Sequence, residues 1–362
     1  APPASDRVHP AYAAALSQLP AHLPNHGYAT LGLVELREVV AARYSRRGLP
    51  TQVDQIMITN GAQHGLALLL RLLAGPGDRV VIDHPTYPHA IDAIERASCR
   101  AVPVGLPAED WDVEGLAAAL RQSAPRLAYL IPEFHNPTGR WMSSAARTAI
   151  AAAAARARTT LVFDETLIDL WLDRPEAPYA FDDAGAELVR LGSMGKSFWG
   201  GLRLGWIRAD AQIIQALALR RASIDLGSPL LEQLAACHLL ADDEPALGER
   251  RDLLRHRRDH LLRLVRTRLQ DWRVRSPPGG LSLWAELPAP VSSALAATSE
   301  RFGVRLAAGP RFGVDGAFER FVRLPYTLSP GDLDQAIDRL AEAYERLRPG
   351  ASPARASVGA VV

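Results

Sequence analysis

Lysine is almost absent from this sequence: of 41 Lys and Arg residues in 362, Lys196 is the only lysine. Arginine serves wherever a plain cation is needed, but it stays protonated, whereas a desolvated lysine, or one beside another cation, can become neutral and attack a carbonyl. A chain that writes its other cations as arginine and keeps one lysine points to amine chemistry at that position. On composition alone, a surface lysine left by chance stays open. Cysteine is also scarce. Cys99 and Cys237 are far apart with no CxxC spacing, which excludes a disulfide framework or a cysteine zinc site and fits a reducing cytoplasm. No apolar run reaches the roughly 18 residues that span a bilayer, and no basic-then-apolar signal opens the chain. Excess charge of either sign is missing: the formal net charge of +1 gives no global attraction to nucleic acid or anionic membrane. No GxGxxG opens a first βαβ unit, which disfavours a nicotinamide dehydrogenase. The sequence starts at Ala1 without methionine, so a processed or excised piece is expected.

The sequence contains a repeating rhythm. Between Thr51 and Trp206, apolar runs at 55–59, 79–83, 100–104, 127–131, 159–164, 188–192 and 204–208 alternate with alanine- and leucine-rich helical stretches. Near-continuous apolar strands separated by helices predict an α/β fold with a mostly parallel, seven-stranded sheet covered on both faces. After Trp206 the rhythm changes. Helical stretches at about 210–222 and 228–270, short strands within 277–326 and a last helix from about Pro330 to Arg348 predict a smaller α+β domain. The expected organisation is an arm at 1–24, a large domain at 25–215, a small domain at 216–350 and a disordered tail at 351–362. The arginine-dense stretch 249–269 carries Leu254, Leu261, Val265 and Leu269 at helical spacing, interleaved with Glu249, Asp252 and Asp259. That pattern favours a solvated amphipathic helix over a nucleic-acid surface.

Ligands of such sheets sit outside the carboxyl ends of the strands, so the residues after each strand matter most. Asn60 and Gly61 turn into a helix whose first N–H groups, at Gly61, Ala62 and Gln63, suit an anion. Tyr87 follows the second strand, Asn136 the fourth, Asp164 ends the fifth, and Ser193 and Lys196 follow the sixth, with Arg203 seven residues beyond the lysine. Each has a bland alternative: a turn for Asn136, a helix cap for Asp164, core packing for Tyr87, a surface ion pair for Arg203. At one sheet edge, however, they assemble an amine, a carboxylate, an amide, an aromatic plate and a phosphate cradle, the parts that would hold a phosphorylated pyridine aldehyde.

The ordered motifs TNGAQ, HPTYP, HNPTG, DET, SMGKSFWGGLRLG and FVRLPY resemble the class I/II aminotransferases of the fold type I pyridoxal-phosphate superfamily over almost the whole chain. More narrowly, the stretches 26–51 and 164–209 look like the aminotransferase-like half of MocR/GntR-type regulators, whose N-terminal winged helix-turn-helix has no counterpart in this sequence. The resemblance implies a fold type I transferase with pyridoxal 5'-phosphate as cofactor and a homodimer with shared sites. Lys196 would be the Schiff-base lysine and proton shuttle, Asp164 the partner of the pyridine nitrogen, Asn136 the partner of the phenolic oxygen, and Tyr87 the stacking ring. Gly61, Ala62, Gln63, Ser193 and Arg203 would hold the phosphate, Arg203 also depressing the lysine pKa. Arg323 would grip the substrate carboxylate, and Tyr28 would reach the phosphate of the neighbouring subunit. Most relatives carry a tyrosine two or three residues after the aspartate; here Thr166 stands in that region, which implies different tuning of the cofactor.

The resemblance implies an aminotransferase acting between an L-amino acid and a 2-oxo acid. The alternatives are the effector domain of a MocR-type regulator and a pyridoxal-phosphate enzyme with another chemistry at Cα. No second arginine is placed to read an acidic side chain, and the donor stays open between aliphatic and aromatic.

Overall fold

The computed structural model describes residues 2–107, 109–173 and 177–347. The tail expected at 351–362 lies outside the described residues, as does Arg348, the expected end of the last helix.

Two helices come first, α1 (Val8–Gln18) and α2 (Val34–Arg46). Strands and helices then alternate: β1 (Ile56–Thr59), α3 (Ala62–Leu73), β2 (Arg79–His84), α4 (Pro88–Arg96), β3 (Arg100–Gly105), α5 (Val113–Ser123) and β4 (Leu127–Leu130). The alternation continues through α6 (Ser144–Ala157) and β5 (Thr160–Asp164), after which β6 (Leu188–Ser193) and β7 (Gly205–Arg208) follow, among the described residues, without a helix longer than one turn.

These strands form one sheet in the order β1-β7-β6-β5-β4-β2-β3. Each candidate run of the sequence supplies one strand, with ends shifted by a residue or so. Pairs β2–β3, β2–β4, β4–β5 and β5–β6 are parallel, and β7 alone runs against its neighbours β6 and β1. Strands β1, β4 and β5 are buried along their whole length, because helices cover both faces. Residues such as Val80, Ile82 and Val162 enter one apolar core with α3, α4 and α7, and Val81, Ala128 and Leu161 another with α5 and α6.

The chain continues through α7 (Ala211–Arg221), α8 (Leu230–Ala241) and α9 (Glu244–Arg268). The single helical stretch expected over 228–270 is therefore two helices. Pro245 has no N–H to donate, and its ring would strike the carbonyl of Ala241 in a continuous helix, so the chain breaks at Asp242 and Asp243. A second sheet follows, built from β8 (Arg273–Val274), β9 (Ser282–Glu286), β10 (Ala307–Ala308) and β11 (Phe321–Pro325) in the order β10-β11-β9-β8, with α10 (Ser292–Glu300) and α11 (Pro330–Glu345) packed beside it.

The apolar stripe of α9 is buried as its spacing predicts, but the helix is less solvated than expected. Arg250, Arg251 and Arg258 are buried and reach loop carbonyls: Arg250 Nη2 donates to Phe198 O at 3.1 Å, Arg251 Nε to Asp169 O at 2.9 Å and Arg258 Nη1 to Pro277 O at 2.9 Å. The arginine density thus ties loops to the helix. Among the described residues, no helix is long and apolar enough to cross a membrane, and no cluster of three metal-ligating side chains occurs.

Candidate active site

The carboxyl ends of the central strands open on a cavity of about 360 Å³, within the range of small-ligand sites. Asp164 closes β5, Ser193 closes β6, and the turn after β6 carries Lys196 to the same edge. Gly61, Ala62 and Gln63 enter from the start of α3, Tyr87 from the N-cap of α4, Asn136 from the segment after β4, and Arg323 from β11 of the second sheet. With Thr166 and Arg203, every candidate except Tyr28 lines this one cavity. Tyr28 is 65% exposed and lies outside its lining.

The cradle at Gly61 is made by backbone that only glycine adopts easily: its φ is 86°, which frees the N–H groups opening α3. Arg203 sits over this turn. Its own φ is 52°, its Nη2 donates to Asn60 O at 3.2 Å, and a Cβ on Gly61 would lie 3.4 Å from the same nitrogen. Gly205 is needed for the approach of β7, since a Cβ there would come within 2.8 Å of Ala62 N. The Gln63 side chain turns aside and donates to His89 O at 2.8 Å, so its backbone is what faces the cradle. Ser193 Oγ accepts from Gly195 N at 3.1 Å, which shapes the turn leading to the lysine.

Lys196 is half-buried, and its pKa is lowered, first by desolvation and then by the Arg323 and Arg203 cations, against the opposing pull of Asp164. The Arg203 effect inferred from the sequence is present, but burial and Arg323 weigh more. Asp164 is buried and is held through both oxygens: Thr166 N donates to Oδ1 at 2.9 Å and the Tyr129 hydroxyl to Oδ2 at 2.5 Å. The Tyr87 phenol is pushed above its ordinary value by burial and by Asp164, so it faces the cavity as a neutral ring. Among the described residues, Asn136 Oδ1 and Arg323 Nε are buried without a hydrogen-bond partner. Polar groups held this way in a cavity wall are poised for a ligand.

The sequence reasoning missed Tyr129, His89, Leu281 and Thr327, which also line the cavity. Tyr129 reads in the sequence as one more apolar position of β4. Its role depends on the parallel pairing of Tyr129 with Val162, which sets its ring two residues short of Asp164 on the adjoining strand.

The sequence profile of "Aminotransferase class I and II" matches residues 4–340. The chain belongs to this family. It is 31% identical over 324 residues to the uncharacterized HTH-type transcriptional regulator YisV of Bacillus subtilis, covering 86% of this chain and 66% of that protein. It is 26% identical over 265 residues to the HTH-type transcriptional regulator NorG of Staphylococcus aureus, covering 72% of this chain and 59% of the regulator. The chain thus spans less than two thirds of the length of these regulators. Against the 2-aminoadipate transaminase of Thermus thermophilus the identity is 29%, over 90% of this chain and 81% of that enzyme. Among solved structures, LysN, the alpha-aminoadipate aminotransferase of Thermus thermophilus, complexed with N-(5'-phosphopyridoxyl)-L-leucine, superposes with a TM-score of 0.87 at 26% identity, covering 96% of this chain and 91% of LysN. The aminotransferase-like architecture expected from the sequence is therefore that of its relatives.

Proposed function

We propose that the protein binds pyridoxal 5'-phosphate in this cavity and transfers an amino group between an L-amino acid and a 2-oxo acid. The observation that carries the proposal is the placement of the sole lysine. It lies half-buried in one cavity with a carboxylate, two arginines and an anion cradle. The donor set suits the cofactor: the N–H groups opening α3 and the Arg203 guanidinium fit a phosphate, Asp164 fits a cationic ring nitrogen, Asn136 fits the phenolic oxygen, and Tyr87 offers a flat ring. When bound, pyridoxal phosphate supplies an aldehyde that condenses with amines and a protonated ring that withdraws electrons from the substrate Cα.

The chain's own residues do the rest. Burial and neighbouring cations favour the neutral Lys196 amine, which can act as a nucleophile and can carry a proton to and from the substrate Cα. Arg323 presents its planar guanidinium to the substrate α-carboxylate, with Nε still unpaired. Asp164, fixed by Thr166 N and Tyr129, presents charge to the ring nitrogen. Thr166 contributes its backbone N–H to this arrangement and lines the cavity.

We also propose, from the family resemblance, a homodimer in a cytoplasmic setting, in which the exposed Tyr28 would reach the partner's phosphate. For the domain organisation we propose a boundary within α9 rather than after residue 215. The core shared by α1, α2 and β1 takes in α8 and the first turn of α9, whereas Leu254 onward joins the core of the second sheet.

Likeness to YisV and NorG supports a second reading, an effector domain that binds cofactor and amino acid with little turnover. The test is to load the purified protein with pyridoxal phosphate, add single amino acids without a 2-oxo acid, and quantify pyridoxamine phosphate and the new 2-oxo acid. Stoichiometric appearance of both establishes transamination. Saturable amino-acid binding without either product would replace it with the sensor reading.

A further inference from the structure

Tyr129 is fully buried in the middle of β4, yet its hydroxyl lies at the cavity edge, 2.5 Å from Asp164 Oδ2. A buried phenol needs a hydrogen-bond partner, and a carboxylate is the strongest acceptor available to it. The direction of this bond is fixed. Burial and the adjacent Asp164 charge push the Tyr129 proton well above its ordinary range, so the phenol is the donor to the carboxylate. The other oxygen, Oδ1, receives the Thr166 N–H at 2.9 Å. Two donors from two directions leave the carboxylate one orientation. Thr166 N belongs to the same short turn as Asp164, so it moves with the aspartate. Tyr129 belongs to the neighbouring strand and anchors it to the sheet.

We propose that Tyr129 is a positioning residue that aims Asp164 at the ring nitrogen of the cofactor, and that the hydroxyl, rather than the ring, performs this task. The inference rests on the proposed cofactor site. Without the hydroxyl, the side chain of Asp164 keeps only its own turn as a restraint, and its Oδ2, inside a buried site, loses its donor. The carboxylate then meets the ring nitrogen in a spread of orientations, and the ring holds its proton less firmly. Lys196 and Arg323 are untouched by the change, so substrate capture should survive while proton movement at Cα slows.

The test uses Tyr129→Phe in the full chain loaded with pyridoxal phosphate labelled with nitrogen-15 in the ring. Nitrogen NMR reports the protonation of the ring directly and independently of turnover. In the parent protein the ring nitrogen should be protonated. In Tyr129→Phe its resonance should move toward that of the neutral ring, with kcat lowered by about tenfold and KM for the amino acid little changed. A merely structural hydroxyl would lower the unfolding midpoint and leave the ring resonance in place, and that result overturns the proposal. Should Tyr129→Phe fail to fold, the parent protein is decisive: a tyrosine hydroxyl proton, protected from exchange and far downfield, should appear in the loaded protein, and its absence counts against the proposal. A parent protein that takes up no cofactor fails the proposed function instead, so the two failures are distinguishable.

Discussion

Ser197, the residue after Lys196, donates its hydroxyl to Asp169 Oδ2 at 2.8 Å, and the other oxygen of that carboxylate is held by Arg43 and Arg47 at 2.7 and 2.8 Å. The lysine turn is thus fastened from behind to α2, far away in sequence. Burial alone would raise the Asp169 carboxyl, but Arg43 and Arg47 with the Ser197 hydroxyl hold it well below the usual carboxylate range. A depressed carboxyl stabilises the fold above the ordinary aspartate pKa, and that contribution fades only as the pH falls through the depressed value.

Asp169→Asn should therefore be severe. It leaves the buried Arg43 and the half-buried Arg47 with less compensation, and the expected loss is about 3–5 kcal/mol in denaturant unfolding at neutral pH. Ser197→Ala removes one donor and should cost about 1–3 kcal/mol. A loss in Asp169→Asn no larger than that in Ser197→Ala would show that the ion pairs contribute little.

Asp83 predicts the opposite pH dependence. It is fully buried beneath the site, accepts from Trp111 Nε1 at 2.7 Å and Ile131 N at 3.0 Å, and has beside it His135, which burial lowers to about 3 and so leaves neutral. Burial lifts the Asp83 carboxyl to about 7, against the pull of its two donors. Between about pH 4 and 7 the unfolded chain gives up this proton while the folded chain keeps it, so stability falls as pH rises. Glu165, raised to about 7 chiefly by burial, adds a slope of the same sign. Asp83→Asn should flatten the stability profile by about 1–3 kcal/mol across that window. Parallel profiles for the two proteins would contradict the assignment.

Arg323→Lys keeps the charge and loses the fork. The expected result is a fall of about tenfold or more in kcat/KM for the amino acid, carried mainly by KM, with cofactor affinity unchanged. A change confined to cofactor binding would place Arg323 in a different role.

Arg203→Gln removes a cation that lines the cavity but is exposed to solvent, so the fold should tolerate it. Cofactor affinity should drop by about tenfold or more, read by fluorescence titration with pyridoxal phosphate. Undiminished affinity would remove Arg203 from the phosphate site.

Much of this was legible in the sequence because the sheet writes itself in apolar runs and the site residues follow those runs directly. Lys196 and Asp164 each stand at or just past a strand end, where sequence position and spatial position coincide. Tyr129 was hidden because its meaning depends on which strand lies beside β4 and in what register. The break before Pro245 was missed because the apolar residues of α8 and α9 continue across it. The buried Arg250, Arg251 and Arg258 look like surface cations in any helical pattern, and their partners are carbonyls of loops far off in sequence. Arg43 on α2 and Arg47 just past its end give no local sign that they meet Asp169.

The most direct test of the central claim compares the parent protein with Lys196→Arg after loading with pyridoxal phosphate. The parent should show a visible absorbance band that amino acids bleach and 2-oxo acids restore. Lys196→Arg should keep its fold and lack both the band and the response. Full turnover by Lys196→Arg would contradict the account, because arginine cannot supply the neutral amine on which it depends.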